Sequence, residues 1–385
     1  MTDFTPNKQF SKTVVSASMM AAAGAAVFLL LPIIIGSAMD NLSLNEEQAG
    51  LLASSYFGGY LCACIASFEL VRRMSHRTLA KGSYAALSLN LFAAGLLQNP
   101  VVTAFFMALA GAGAGVLFGL AILIVGQTRN ADSNFGILLV TQQLFAAALL
   151  FTLPQWVIPK FGFSGLMVAL SIALGMGLFL LQGTDNSPEV KSRRKAKQST
   201  KVPFLRQIII GLFALMVHFA ALSAVWAFIE RMAVDQGLPT DQIGNALAFS
   251  MLGGVIGGLM VALLGSRIGR RIPVGLSLIA FLGVFYCYST NFDMLDFALV
   301  SFIFSLFWNY ILGYQMAIIA ELDQADRYSV FIPGAQALGA VTGPAAAGFI
   351  ITDQGYIAVL SIASIIIFIT SGLFLYLIRM RKNYA

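Results

Sequence analysis

Apolar stretches of roughly 17–25 residues, the length of a helix that crosses a bilayer, recur along the whole chain with short polar segments between them. They predict twelve helical spans, at 13–36, 47–69, 78–97, 101–125, 134–156, 163–182, 204–229, 241–264, 273–290, 296–319, 329–351 and 355–378. Glycine and proline fall inside several of them, which helices in lipid tolerate when their neighbours take up the freed backbone groups. The first span follows a short basic segment, but its 24 residues exceed the apolar region of a signal peptide, so it reads as a retained helix. The longest polar stretch, 183–203, is rich in Lys and Arg and has no apolar periodicity. It links two units of six spans each, 1–182 and 204–385. The fold class is therefore all-α integral membrane, with two pseudo-symmetric six-helix bundles.

Composition sharpens this. The chain is 58% hydrophobic and 10% charged, against about half and a quarter in an ordinary soluble domain. So few charges cannot clothe soluble domains over 385 residues. A soluble enzyme, a disordered chain and a disulfide scaffold are excluded. The net charge of +6 does not indicate nucleic acid, because the spans explain where the basic residues lie. With the N-terminus cytoplasmic, 21 of the 23 Lys and Arg fall in cytoplasmic segments, leaving only Lys160 and Arg231 outside. One span more or fewer before the middle would scramble that alternation, so both termini are expected inside. The linker itself reads as a solvated basic loop at the anionic inner leaflet. Cys62, Cys64 and Cys287 sit among small apolar residues and read as packing residues. With His76 and His218 far apart, no cluster has metal-ligand spacing, and neither a metal nor another cofactor is expected.

The two halves align at a constant offset of 194 residues. Gln48 and Gly50 fall on Gln242 and Gly244, Gly59 on Gly253, and Arg73 and Arg77 on Arg267 and Arg271. Gly119 falls on Gly313, Ala131 and Asp132 on Ala325 and Asp326, and Gln142 on Gln336. With its twelve spans, basic central linker and a basic loop after the second and eighth spans, the chain resembles the major facilitator superfamily of secondary transporters over nearly its whole length. The family's loop approximates G-x-x-x-D-R-x-G-R-R. Here the second copy runs Ser266-Arg267-Ile268-Gly269-Arg270-Arg271 and the first Arg72-Arg73-Met74-Ser75-His76-Arg77, both without the acidic residue. Glu69 lies one turn earlier in the first copy. Gly339, Gly343, Pro344, Ala347 and Gly348 look like the family's Gly-Pro motif, placed in the eleventh span rather than in the fifth, where antiporters carry it. In the fourth span Leu109 precedes Gly111, Gly113 and Gly115 where many proton-driven members place an arginine.

The resemblance implies parallel halves with the substrate between them near the bilayer midplane, and alternating access by rocking. Gly111, Gly113, Gly115, Gly339 and Gly343, with Pro344, would let helices approach closely and slide. It also implies that Arg267, Arg270 and Arg271 lie near Glu321 and Asp323 at the inner end of the tenth span. Together with Glu69, Arg73 and Arg77 of the first half they form a candidate inner gate; a plain positive-inside loop is the alternative.

Charges deep in a bilayer are costly and usually functional, and here the deep titratable group is His218, about 20 Å along the seventh span at 1.5 Å per residue. It is the candidate proton-coupling residue, with a neutral interhelical hydrogen bond as the alternative. His218, Leu222 and Trp226 share a stripe of about 80°. Trp226 offers a stacking surface for a ring-bearing solute or an interfacial anchor. Asn309, Tyr310 and Tyr314 in the tenth span, Gln142 and Gln143 in the fifth and Gln336 in the eleventh complete the substrate-binding candidates. Tyr310 and Tyr314 share one face while Trp308 lies nearly opposite, so both faces cannot line one cavity.

The expectation is a secondary transporter of a small neutral or weakly charged amphipathic or aromatic solute, proton-coupled, with export the favoured direction. A sugar is the alternative substrate, through amides and aromatic stacking. Its partners are that solute and the lipid bilayer, with no nucleic acid, as a monomer in a bacterial inner membrane. A membrane enzyme would need a catalytic constellation at depth that the chain lacks. A non-transporting receptor of transporter fold is the remaining alternative.

Overall fold

The computed structural model describes residues 8–97, 99–128, 131–181, 205–265, 267–323, 328 and 331–382. The linker 183–203 lies outside them, as do Ala325, Asp326 and Arg327. The described residues are helical and form no strand. Helices α1 (Lys8–Leu29) and α2 (Leu31–Leu42) run nearly end to end, because Leu30 N still donates to Ala26 O and Ile34 N to Leu30 O across the junction before Pro32. Next come α3 (Glu46–Arg73), α4 (His76–Leu96), α5 (Pro100–Gly126) and α6 (Ala131–Thr152). A wide turn at Leu153–Val157, carrying Pro154, leads into α7 (Ile158–Gly175) and a tight final turn, Met176–Leu180. The later elements are α8 (Leu205–Asp235), α9 (Thr240–Leu264), α10 (Arg271–Tyr288), α11 (Met294–Leu322) and α12 (Ile332–Lys382).

The ends are set by side chains. Asn45 accepts from Gln48 N at the start of α3 and Asp293 from Asp296 N at the start of α11, each with the reciprocal bond of a capping box. Ser75 and Asn99 cap α4 and α5. Gly162 (φ 56°) turns the chain inside α7 and Gly355 (φ 76°) inside α12, in a left-handed region that a side chain disfavours.

Among the described residues nine helical segments are long and apolar enough to cross a membrane. Two of them, Asn134–Leu180 and Ile332–Met380, run to 47 and 49 residues, more than twice a single crossing, and each contains one of those glycine turns. Helix α4, with His76, Arg77 and Lys81 in its first turns, is not among the nine. The periphery is as apolar as the core: Val101, Phe105, Phe179, Leu263 and Ile279 are 60–78% exposed. Water would penalise such a surface, whereas lipid solvates it.

In the first helix group α3 and α4 pack on α5, α1 on α5 and α6, and α4 on α7. In the second, α8 packs on α12, α9 on α11, and α10 on α11 and α12. The groups meet where α3 lies on α12, α6 on α9, and α2 on α8.

Candidate functional site

The seam between the groups is tightly packed at the helix ends remote from the basic loops. Gly50 of α3 faces the carbonyl of Pro344 in α12, so closely that a Cβ would overlap it, and Gly348 faces Glu46. On the opposite flank Gly244 of α9 faces the Pro154 ring, where a Cβ would stand 2.6 Å from it. Gly50 and Gly244 are the pair matched by the repeat, and in each case a proline bend from the other group fills the missing side chain's space. Hydrogen bonds cross the seam beside both, from Ser54 Oγ to Val341 O (2.6 Å) and from Gln155 Nε2 to Asn245 Oδ1 (2.6 Å). Between these flanks Arg231 of α8 pairs with Asp40 of α2 at 2.7 Å and donates to Gly36 O.

Deeper in the seam lies an aromatic cluster. Phe28 of α1 stacks on Phe219 of α8 (centroids 5.7 Å) and meets Phe57 of α3 (5.6 Å) and Trp308 of α11 (5.7 Å) edge to face. Trp308 is bounded by Phe219 at 5.5 Å and Phe304 at 5.3 Å. Phe28 and Phe219 remain partly exposed, so the cluster is not fully closed over by protein. Trp226 stacks on Phe304 and donates through Nε1 to Phe28 O at 2.9 Å, with 3% of its surface exposed. It thus ties α8 to α1 rather than offering an open face.

Amides flank the rings. Gln143 Nε2 and Asn309 Nδ2 both crowd Gly254, 2.7 and 2.9 Å from where a Cβ would stand, so an amide from each group reaches one spot. Asn309 donates to Ser305 O, and the Oε1 atoms of Gln142 and Gln143 are buried without a hydrogen-bond partner. Buried amide oxygens of that kind favour a bound donor. Gln336 Nε2 contacts Met316 Sδ at 3.5 Å, one turn further along α12.

Other candidates lie elsewhere. His218 sits inside the second group, 2% exposed, with Nδ1 2.9 Å from Thr370 Oγ1 of α12 and its ring against Phe281 of α10. Thr370 Oγ1 is also 2.8 Å from Ile366 O, to which it donates, a geometry that suits His218 Nδ1–H as donor, and Nε2 is buried without a hydrogen-bond partner. Tyr310 and Tyr314 are buried at 1% and 0%, packed on each other at 5.1 Å. Arg270 lies 5.5 Å over the Tyr314 ring and pairs with Glu321 at 2.6 Å. Glu69 pairs with Arg73 within α3 at 2.7 Å, and Asp323 accepts from Tyr328 N. Arg77 and Arg271 are exposed, while Arg267 reaches back to Leu263 O at 3.4 Å. The basic-end ion pairs among the described residues therefore stay within one group. Gly111 and Gly115 face the Tyr56 and Tyr60 carbonyls of α3, Gly113 faces Ser83 of α4, and Gly339 and Gly343 face α8 at Met216 and Ala220. A separate open groove of about 490 Å³, between α3, α4 and α5, contains none of the proposed substrate contacts.

Phe28, Phe219 and Asp40 are not among the sequence candidates, and with 31 phenylalanines in the chain no spacing marks two of them. Glu230 and Arg231 read in the sequence as charges near a span end, with Glu230 on the side of His218 and Trp226 toward the outer mouth, and not as site residues.

The sequence model described as Major Facilitator Superfamily matches residues 15–322. Among solved structures, the fold is similar to the nucleoside transporter NupG (TM-score 0.71, 14% identity, covering 98% of this chain and 100% of that one). It is similar to a D-xylose–proton symporter (TM-score 0.77, 13% identity, 95% and 97% covered). It is also similar to a bacterial homologue of the human lysosomal transporter Spinster, solved inward-facing and unoccupied (TM-score 0.69, 14% identity, 97% and 98% covered). An uncharacterized protein of Archaeoglobus fulgidus is 24% identical over 131 residues, 34% of this chain and 60% of that protein's length.

Proposed function

We propose, from the premise that this chain belongs to the major facilitator superfamily, that it is a secondary transporter working by alternating access between two six-helix halves, 1–182 and 204–385. Twelve spans with both termini cytoplasmic are part of the proposal. The glycine turns at Gly162 and Gly355 support it, since they split the two longest apolar segments. On that topology the close glycine–proline contacts of the seam face outward.

The substrate is a small neutral or weakly charged ring-bearing solute. The observation that carries this is the Phe28–Phe219–Trp308 cluster at the seam, flanked by the Gln143 and Asn309 amides. Rings stack on an apolar ring face, and amides bond its polar edge. The nearby guanidinium, Arg231, is paired with Asp40, so it is not free for a carboxylate or phosphate. A nucleoside and a pyranose both fit this chemistry, and fold neighbours named for each lend the class support. Coupling to protons and export from a bacterial inner membrane belong to the same reading. The interior position of His218 favours a packing role for it.

A thermal-shift screen of the purified protein, with neutral sugars, nucleoside-like or other aromatic solutes, organic anions and organic cations, tests the substrate class. A ligand that binds only the folded state raises its stability, by about 2.7 kcal/mol at a hundredfold excess over Kd. Stabilisation by ring-bearing neutral solutes, lost in Trp308→Ala, is expected. Stabilisation by anions alone would overturn the assignment.

A further inference from the structure

Asp40, Glu230 and Arg231 form a cluster that the substrate reading does not use. Arg231 Nη1 donates to Asp40 Oδ1 at 2.8 Å, Nη2 lies 2.7 Å from Oδ2 of the same carboxylate, and Nη2 also donates to Gly36 O. Both terminal nitrogens are thus taken. Glu230 Oε2 comes within 3.1 Å of Arg231 Nε, but off the N–H direction, and has no hydrogen-bond partner. Its carboxylate fills the space in which a Cβ on Gly36 would stand, which presses it into the contact between α2 and α8. Glu230 is 2% exposed, whereas the Asp40 side chain is 59% exposed at the outer mouth.

The titratable groups that act on the cluster are Asp235 on α8, Glu46 at the start of α3 and Tyr356 on α12. On α7, which packs against α2, the cation Lys160 is exposed, two residues before Gly162, which faces Asn41. Two carboxylates of the seam share the Arg231 guanidinium, whose terminal nitrogens are on Asp40 and whose Nε alone faces Glu230. With the terminal nitrogens of Arg231 held by Asp40, an ionised Glu230 is buried beside Nε alone and its Oε2 accepts no hydrogen bond, which is costly away from water. A proton on Glu230 removes that buried charge and leaves the Arg231–Asp40 pair intact.

We infer that Glu230 is a proton-binding site of the transport cycle, protonated while the outer seam is closed and ionised when it opens. The inference rests on the transporter reading for its role in a cycle, and it moves the proton from His218, inside one half, to a contact that forms and breaks between halves. Acid then favours the closed seam and alkali the open one. Water entering between α2 and α8 solvates the released carboxylate, and Gly36 allows its close approach on return.

The test is a distance measurement across the outer mouth. Spin labels go on Val101→Cys and Gln236→Cys, exposed positions at the outer ends of the two groups, with Cys62, Cys64 and Cys287 replaced by serine. The protein is held in lipid nanodiscs without substrate, between pH 5 and 9. The ratio of long to short distances should rise with pH, approaching the limit of about tenfold per unit for one linked proton. In Glu230→Gln the ratio should not respond to pH, and in Asp235→Asn it should respond as in the parent. A response kept in E230Q, absent in the parent, or lost in D235N but kept in E230Q overturns the inference. If E230Q does not fold, Glu230→Asp replaces it, and an unshifted midpoint overturns the inference. Because no substrate is present, failure to find solute flux would strike the transport reading and leave this one standing. Intact flux with a pH response kept in E230Q would do the reverse.

Discussion

Trp226 and Trp308 occupy the same aromatic region, yet their surroundings predict opposite phenotypes. Trp226 spends its N–H on Phe28 O and is stacked on Phe304. Trp226→Phe keeps the ring but leaves that carbonyl without its donor, at a cost of about 1 kcal/mol. The expected result is a lower melting temperature with KM little changed. Trp308, 8% exposed, backs the partly exposed Phe28 and Phe219 rings edge to face, so Trp308→Ala should loosen that ring surface and raise KM about tenfold, the equivalent of roughly 1.4 kcal/mol. Transport assays on both variants check this, and a tenfold KM effect in W226F would reverse the roles. His218 is read in the same way. Its bond to Thr370 joins α8 to α12, so His218→Ala should melt earlier while uptake driven by a pH gradient persists. Loss of that uptake at unchanged melting temperature would restore His218 as the coupling group.

At the scale of elements, the glycine–proline contacts decide which way the helices lean. Gly50 under Pro344 and Gly244 under Pro154 leave no room for a methyl group. Gly244→Ala should therefore open the outer seam, since overpacking costs about 1–3 kcal/mol in the closed form alone. A thiol probe added outside should then reach a cysteine at Ser54 roughly tenfold faster, or more, than in the parent. An unchanged rate would mean that the seam yields without opening. At the basic end Arg270 and Glu321 join the loop before α10 to α11 and are partly exposed. The pair is worth about 1 kcal/mol or less. In a double-mutant cycle on melting temperature, R270A, E321A and the double variant should coincide within a few degrees. Because the pair lies within one helix group, it braces that group's basic end. The resemblance placed these residues together, but it could not tell a pair within a half from one between halves.

The whole molecule is defined by which surfaces face lipid and which face each other. The proposed topology predicts that a cysteine at Val101 is labelled by an impermeant reagent from outside intact cells and one at Arg379 is not. Labelling at Arg379 would invert or break the twelve-span count. At this scale the sequence was most legible. Length, apolar run and Lys/Arg placement lead to an all-helical membrane protein and to the superfamily, because transfer of each residue into lipid is a local property that a sliding window captures. Of the five Gly and Gln matches at one offset, the pair Gly50 and Gly244 also survives into three dimensions, where equivalent helices meet equivalent neighbours.

Less of the site was legible. Gln143 and Asn309 were named from the sequence and do converge at Gly254. Tyr310 and Tyr314 were named beside them and turn into the packed interior. In a soluble helix the apolar stripe would have told these faces apart. In lipid both the outer and the packed face are apolar, so the chain carries little contrast around the helix axis. The sequence alone determined that the chain is a series of long apolar helices with basic segments between them, because each residue's preference for lipid is local. Only the tertiary structure decided which side chains share the seam. Asp40 and Arg231 are 191 residues apart, and their pairing depends on how two separately packed helix groups lean together, which no local pattern encodes.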